Sequence, residues 1–208
     1  MNGNARDRLR AAYDANAKAR DRRTRPAWKR SVREAFLETL RREGYTGLLE
    51  IGSGAGQDGA FFARQGLDVI CVDLSPKMVL LCREKGLEAY VMDVTDLRFP
   101  AESFDAATSL NSLLHLPKAE LPEALREVQR VLRPGGVFYL GVYGGHDEEG
   151  IWEQDTYDPK RFFSFHTDEQ LLAAVGAIFD VASFNRIALE EEDARFHVQS
   201  LILRKKTG

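Results

Sequence analysis

Apolar residues fall in short, nearly continuous runs separated by polar helical stretches, beginning at residue 47. GLLEI at 47–51 reads as a buried strand, and the GSGAGQDG segment after it leads into a helix that ends near Gly66, a good left-handed cap. LDVICVD at 67–73 is the second strand. Ser75 and Pro76 then suit the N-cap and first position of a helix through Met78, Leu81 and Lys85, stopped by Gly86. EAYVMD at 88–93 and FDAATSL at 104–110 are the third and fourth strands, and a helix is expected from about Lys118 to Leu132. Arg133-Pro134-Gly135-Gly136 reads as a hard stop before the fifth strand, VFYLGVY at 137–143.

Residues 144–166 read as a long, aromatic-bearing loop, which in a tightly folded domain points to a functional lid. Thr167 and Gln170 form a capping box for a helix at 168–177. FDVASFNRIAL and FHVQSLILRK, split by the acidic turn EEEDAR, read as an antiparallel hairpin at the sheet edge. Upstream, Ser31 and Glu34 read as a capping box for a helix through Phe36, Leu37 and Leu40, with helices at 5–43 expected to pack over the strand tips. Strand alternating with helix predicts a parallel sheet covered on both faces. The expected organisation is a basic helical cap over 1–43 and one α/β domain over 44–208.

Composition narrows the class. The chain has 208 residues, 44% hydrophobic and 29% charged, enough for one domain with its own core and too apolar for general disorder. Its two cysteines, Cys71 and Cys82, lie in apolar runs, which excludes a disulfide framework or a four-thiolate zinc site. No run approaches a membrane span, and the N-terminus lacks the apolar core of a secretory signal, so a cytoplasmic protein is expected. Charge is uneven. Residues 1–33 hold eleven Lys or Arg against three Asp, a net +8 that leaves −11 for the rest of a chain whose total is −3. Such an arm could meet RNA or another anion, or simply be a solvated helix; it lacks interleaved aromatics for base stacking, so nucleic acid is not the expected partner.

The sharpest chemical signal is Glu50-Ile51-Gly52-Ser53-Gly54-Ala55-Gly56, glycines directly after a buried strand, where the backbone must turn tightly and approach a ligand. Asp73 follows at the end of the next strand, placed to accept both hydroxyls of a ribose. A dinucleotide fingerprint would place its third glycine at position 57, but the residue there is Gln57. Glu50 would repel a pyrophosphate yet suit an ammonium or sulfonium ligand, or it could cap a helix.

These features resemble the class I S-adenosylmethionine-dependent methyltransferases, in particular the small-molecule group. The matching segments are LLEIGSGAGQDGAFFA, VICVDLSPKMV, VMDVTDLRFP, SFDAATSLNSLLHL and REVQRVLRPGGVFYLGVY, in family order over roughly 45–145. The resemblance implies a Rossmann-like seven-stranded, mostly parallel sheet with an antiparallel last strand and an N-terminal helical lid. It implies S-adenosylmethionine as cofactor, with S-adenosylhomocysteine as product and no metal. Glu50, Gly52, Gly54, Gly56 and Gln57 would meet the methionine part, Asp73 and Leu74 the ribose, and Asp93 the adenine amino group. Met78 and Met92 would line the adenine pocket, with plain core packing the alternative, Val94 would join the cofactor-binding set, and Asp93 could instead cap the turn before Thr95. Leu110 and Asn111, at the end of the fourth strand, complete the set.

For the acceptor, His115 is the candidate base or substrate contact, or else a structural histidine beside Leu113 and Leu114. Tyr143, Trp28, Trp152, Tyr157, Arg161 and Phe162 are candidate wall or lid residues. The signatures of amino-methylating and cytosine-C5 DNA enzymes are absent, so a small-molecule acceptor is expected, methylated on oxygen or nitrogen by a monomer or homodimer. The rival readings are a nicotinamide-dependent oxidoreductase, an RNA methyltransferase using the basic arm, and a non-catalytic cofactor binder.

Overall fold

The strands are β1 (Gly47–Ile51), β2 (Asp68–Asp73), β3 (Glu88–Val91), β4 (Phe104–Leu110), β5 (Leu132–Gly144), β6 (Glu148–Ile151), β7 (Phe162–Phe165), β8 (Phe179–Ala188) and β9 (His197–Lys205). The helices are α1 (Gly3–Asp21), α2 (Ala27–Glu43), α3 (Gln57–Arg64), α4 (Pro76–Glu84), α5 (Leu121–Val131) and α6 (Asp168–Gly176). The computed structural model describes residues 3–189 and 196–207, so the expected EEEDAR turn lies outside the described residues.

Seven strands form one sheet in the order β3-β2-β1-β4-β5-β9-β8. The first five run parallel, and β9 pairs antiparallel with both β5 and β8. Every residue of β4 but the last is buried, as expected of a strand covered on both faces. On one face α5 and α6 bury Leu121, Leu125, Val128 and Leu171 against Phe138 and Leu140. On the other, α2, α3 and α4 bury Phe36, Leu40, Phe62 and Val79 against Leu48 and Val137. Phe36 meets Phe62 edge-on at 6.2 Å between ring centroids, and burying one such ring stabilises the fold by about 1.5–3 kcal/mol.

Local chemistry sets the element ends. The Ser75 hydroxyl accepts from Met78 N–H at 3.2 Å, with Pro76 in the first turn of α4. Thr167 and Gln170 make the expected reciprocal capping box on α6.

Three expectations need correction. Ser31 caps nothing: α2 begins at Ala27 after an extended Pro26, and the Ser31 hydroxyl donates back to the Ala27 carbonyl at 3.2 Å. The Arg133–Gly136 segment does not stop the chain before β5. It belongs to that strand, with the register shifting between Phe104 and Ala106 of β4 and Gly135 at φ 75°. Residues 144–166 are not one loop, because β6 and β7 pair as an antiparallel hairpin. The exposed, acidic β6 hid its strand character, and aromatic residues of β7 pack on Trp152 instead.

Candidate active site

The strand order reverses between β1 and β4, where the crossovers leave in opposite directions and open a crevice at the strands' carboxyl ends. The glycine loop forms its floor. Gly52 and Ser53 N–H groups both donate to the Val72 carbonyl, at 2.8 and 3.1 Å, tying the loop to β2. Gly52 has φ 66°, and a Cβ there would overlap the Ser112 side chain. Gly54 has φ 55°, and nothing lies within 4 Å of where its Cβ would stand, so its open side faces the crevice. Gly56 instead caps α3 and abuts the interior, where a Cβ would come within 2.8 Å of Cys82 Sγ.

Asp73 closes this floor. Its Oδ2 accepts from Gly54 N–H at 2.8 Å and its Oδ1 from Ser75 N–H at 2.9 Å, leaving a lone pair on each oxygen. Burial raises its pKa against the pull of those two bonds. Glu50 is 6% exposed, and burial together with the neighbouring Asp58 pushes it well above the carboxylate range. Asp58 itself is clamped by Arg25 at 2.7 Å and Arg33 at 3.2 Å.

The cover is α1, whose residues Arg6, Tyr13 and Arg20 are spaced seven apart and so share one face. Arg6 grips the Asp93 carboxylate and also reaches Thr95 Oγ1 and Glu120, each at 3.1 Å. Asp93 in turn accepts from Thr95 N–H at 3.0 Å, so it both caps that turn and faces the crevice. Burial alone would raise Asp93, but the bonds from Arg6 and Thr95 outweigh it and hold the carboxyl below its ordinary range. Asp14 accepts from the Ser75 hydroxyl and from Lys77 N–H.

Tyr13 and His115 are 2.7 Å apart, and His115 Nδ1 lies 2.8 Å from the Phe162 carbonyl. A carbonyl can only accept, so Nδ1 carries the proton and Nε2 accepts from the Tyr13 hydroxyl. Arg161 donates to the Tyr13 oxygen at 3.1 Å. His115 is 5% exposed, and burial pushes its pKa down to about 3, so it is neutral at physiological pH.

The crevice has two lobes that share Gly52. A smaller one of about 60 Å³ is lined by Asp73, Leu74, Met92, Asp93, Val94 and His115 among others, with Arg6 and Leu9 of α1 above. A larger one of about 270 Å³ holds Glu50, Gly54, Gln57, Leu110, Asn111 and Tyr143. Trp28 packs edge-on against Tyr143 at 6.0 Å.

Met78, fully buried beside Ala17 and Ala55, is a core residue and lines neither lobe. Of the expected wall and lid residues Tyr143 lines the larger lobe, whereas Trp28, Trp152, Tyr157, Arg161 and Phe162 line neither. Trp152 packs with Phe163 and Phe165, Phe162 contributes its carbonyl, and Arg161 is locked to Asp155 and stacked on Tyr157 at 3.7 Å. Among the described residues no three His, Cys, Asp or Glu side chains converge as a metal site requires, and no helix is long and apolar enough to cross a membrane.

Sequence reasoning missed Arg6, Tyr13, Asp14, Arg20 and Lys29. The heptad spacing of Arg6, Tyr13 and Arg20 was the one available signal, and it was masked because that face is polar.

Residues 49–140 match a family model described as a methyltransferase domain. The ubiquinone biosynthesis O-methyltransferase of Xanthomonas oryzae pv. oryzae is 37% identical over 103 residues, which is 46% of this chain and 42% of that protein. The erythromycin 3''-O-methyltransferase of Saccharopolyspora erythraea is 35% identical over 105 residues, 45% of this chain and 33% of that protein. The chain thus spans less than half the length of these curated relatives. Among solved structures, the Burkholderia thailandensis 1,6-didemethyltoxoflavin-N1-methyltransferase, bound to 1,6-didemethyltoxoflavin and S-adenosylhomocysteine, superposes with a TM-score of 0.76 at 24% identity, covering 97% of this chain and 88% of that one.

Proposed function

We propose that this chain, which carries a class I S-adenosylmethionine-dependent methyltransferase domain, moves a methyl group from a donor lying along the crevice to an oxygen or nitrogen of a small organic acceptor. The observation that carries the reading is the Gly54–Asp73 clasp beside the open face of Gly54, a cradle that a side chain would fill. The residues fit the donor. Asp73 keeps lone pairs for two ribose hydroxyls, Asp93 offers a carboxylate to an exocyclic amine, and Leu74, Met92 and Val94 give an apolar wall for a flat base. When bound, the donor supplies a methyl group on a positively charged sulfur, an electrophile that needs alignment and dryness more than acid catalysis.

This chain's residues provide that alignment. The Gly52–Gly54 backbone and Asp73 fix one end, α1 covers the crevice, and Tyr143, with Trp28 packed edge-on against it, lines the larger lobe. His115, with both nitrogens engaged and its basicity suppressed, serves as a positioning residue for Tyr13 rather than as the base. Two of the curated relatives are O-methyltransferases by name, which supports oxygen as the acceptor atom.

Thermal unfolding in parallel with S-adenosylhomocysteine, S-adenosylmethionine and NADH tests the donor. A ligand at a hundred times its dissociation constant should raise the midpoint by roughly 5–10 °C. A rise with the adenosyl ligands alone is expected, and a rise with NADH alone would overturn the reading.

A further inference from the structure

Charge on α1 is sorted between its two faces. Two of its three aspartates turn toward the body: Asp14 accepts from the Ser75 hydroxyl and Lys77 N–H, and Asp21 pairs with Lys85 at 2.7 Å. The third, Asp7, is exposed but bonded to Arg10 at 2.9 Å. Arg8, Ala11, Ala15, Lys18 and Arg22 are all exposed, and their alternating steps of three and four residues put them on one outward stripe. No carboxylate falls on that stripe, and its short alanines let a flat surface come close to the helix while the longer cations reach past them.

The stripe runs into the turn between α1 and α2, where Arg23 is exposed as well, and Arg30 is exposed in the first turn of α2. Lys18, Arg22, Arg23 and Arg30 enter no ion pair among the described residues, and the Arg23 guanidinium has a ring contact with Tyr157 at 6.0 Å. Arg8 differs, since it donates to the Lys160 carbonyl at 3.0 Å and lies near Glu153. The first exposed carboxylate along α2, Glu34, comes a turn beyond Arg30.

The rings that could stack a base are engaged elsewhere: Tyr13 is bonded to His115, and Trp28 packs on Tyr143 with Lys29 over it. Surfaces for single-stranded nucleic acid interleave cations with free rings, and this stripe has none. Nor does it carry a large apolar side chain to bury in a hydrocarbon layer. Unpaired cations on a smooth alanine face suit a plane of anionic headgroups, held by charge alone.

We infer that the outer face of α1 and the turn after it adsorb to an anionic lipid bilayer through Lys18, Arg22, Arg23 and Arg30. Adsorption there brings the rim of the larger lobe, to which the exposed Arg23, Thr24 and Pro26 belong, against the headgroups. It needs no donor in the crevice, so it stands or falls apart from the methyltransferase reading.

The full chain is sedimented with phosphatidylcholine vesicles that contain or lack phosphatidylglycerol. Partitioning should be at least about tenfold greater on the anionic vesicles and should fall severalfold when salt is raised to about 0.5 M. K18Q/R22Q/R30Q alters no residue that lines either lobe, and it should abolish the preference with the urea midpoint unchanged. K18R/R22K/R30K should keep the preference, which separates charge from a fold defect. Equal partitioning on neutral and anionic vesicles, none on either, or full binding by the glutamine variant would overturn the inference. So would tighter binding, per phosphate, of a single-stranded oligouridylate than of the anionic vesicles at matched salt, because the face would then belong to a nucleic acid.

Discussion

The floor and the cover of the crevice are made by opposite means. The floor hangs on β1, β2 and β4, whose side chains are locked in two apolar layers, and its ligand-facing parts are backbone and one carboxylate. The cover, α1, buries little more than Ala12 and Ala17 and is fastened by Arg6, Tyr13, Asp14 and the Asp21–Lys85 pair. Continuous burial fixes a position to within a fraction of an ångström, whereas point contacts fix it only while each partner holds. The difference predicts that substitutions in the floor damage fold and donor binding together, and that those in the cover shift binding or pH response with the fold intact.

The hardest break is Gly52→Ala. The new Cβ meets the Ser112 side chain at a positive φ, so a stability loss of roughly 2–4 kcal/mol is expected as a lower urea midpoint at unchanged slope. Asp73→Ala should weaken S-adenosylhomocysteine binding roughly ten- to a hundredfold by calorimetry, because charged hydrogen bonds are removed, and equal affinity would exclude the ribose assignment.

His115 sharpens the contrast through pH. Its native pKa of about 3 lies below the unfolded value near 6.5, so the unfolded chain binds the extra proton between those values. Its contribution therefore falls as pH drops below about 6.5, by about 1–2 kcal/mol at pH 5, and His115→Gln should flatten that slope in urea titrations run across pH. The smallest effect belongs to Arg6→Ala. Freed of its guanidinium partner, Asp93 is available to an amine, and S-adenosylhomocysteine affinity should rise by up to about fivefold with the urea midpoint nearly unchanged. Weaker binding would mean that Arg6 supports the ligand rather than competing with it.

The same contrast decides what could be read in the chain. The succession of parallel strands, the glycine loop, and the places of Asp73 at the end of β2 and Asp93 just past β3 were legible because buried parallel strands leave unbroken apolar runs and glycines punctuate them. The cover was not. Its inward face is Arg6, Tyr13 and Arg20, so no apolar stripe marks it, and its basic residues resemble a solvated helix. The β6–β7 hairpin was hidden for a related reason: one strand is exposed and acidic, while Trp152 beside it suggested a ligand wall although it packs with β7. Ser31 shows the limit of motif reading, since a cap sequence does nothing when a proline five residues earlier has already started the helix.

A helix of 19 residues held at a handful of polar points has its own clock. It can lift away while the seven strands stay paired, so amide exchange along α1 should outrun exchange in β4 by orders of magnitude and speed up further in salt. Both lobes lie beneath or beside that one element, so a single opening event exposes the adenosine end and the acceptor end together. The residence time of whatever occupies the crevice is then governed by how fast one helix comes unfastened, so departure rather than any step inside the crevice can set the pace.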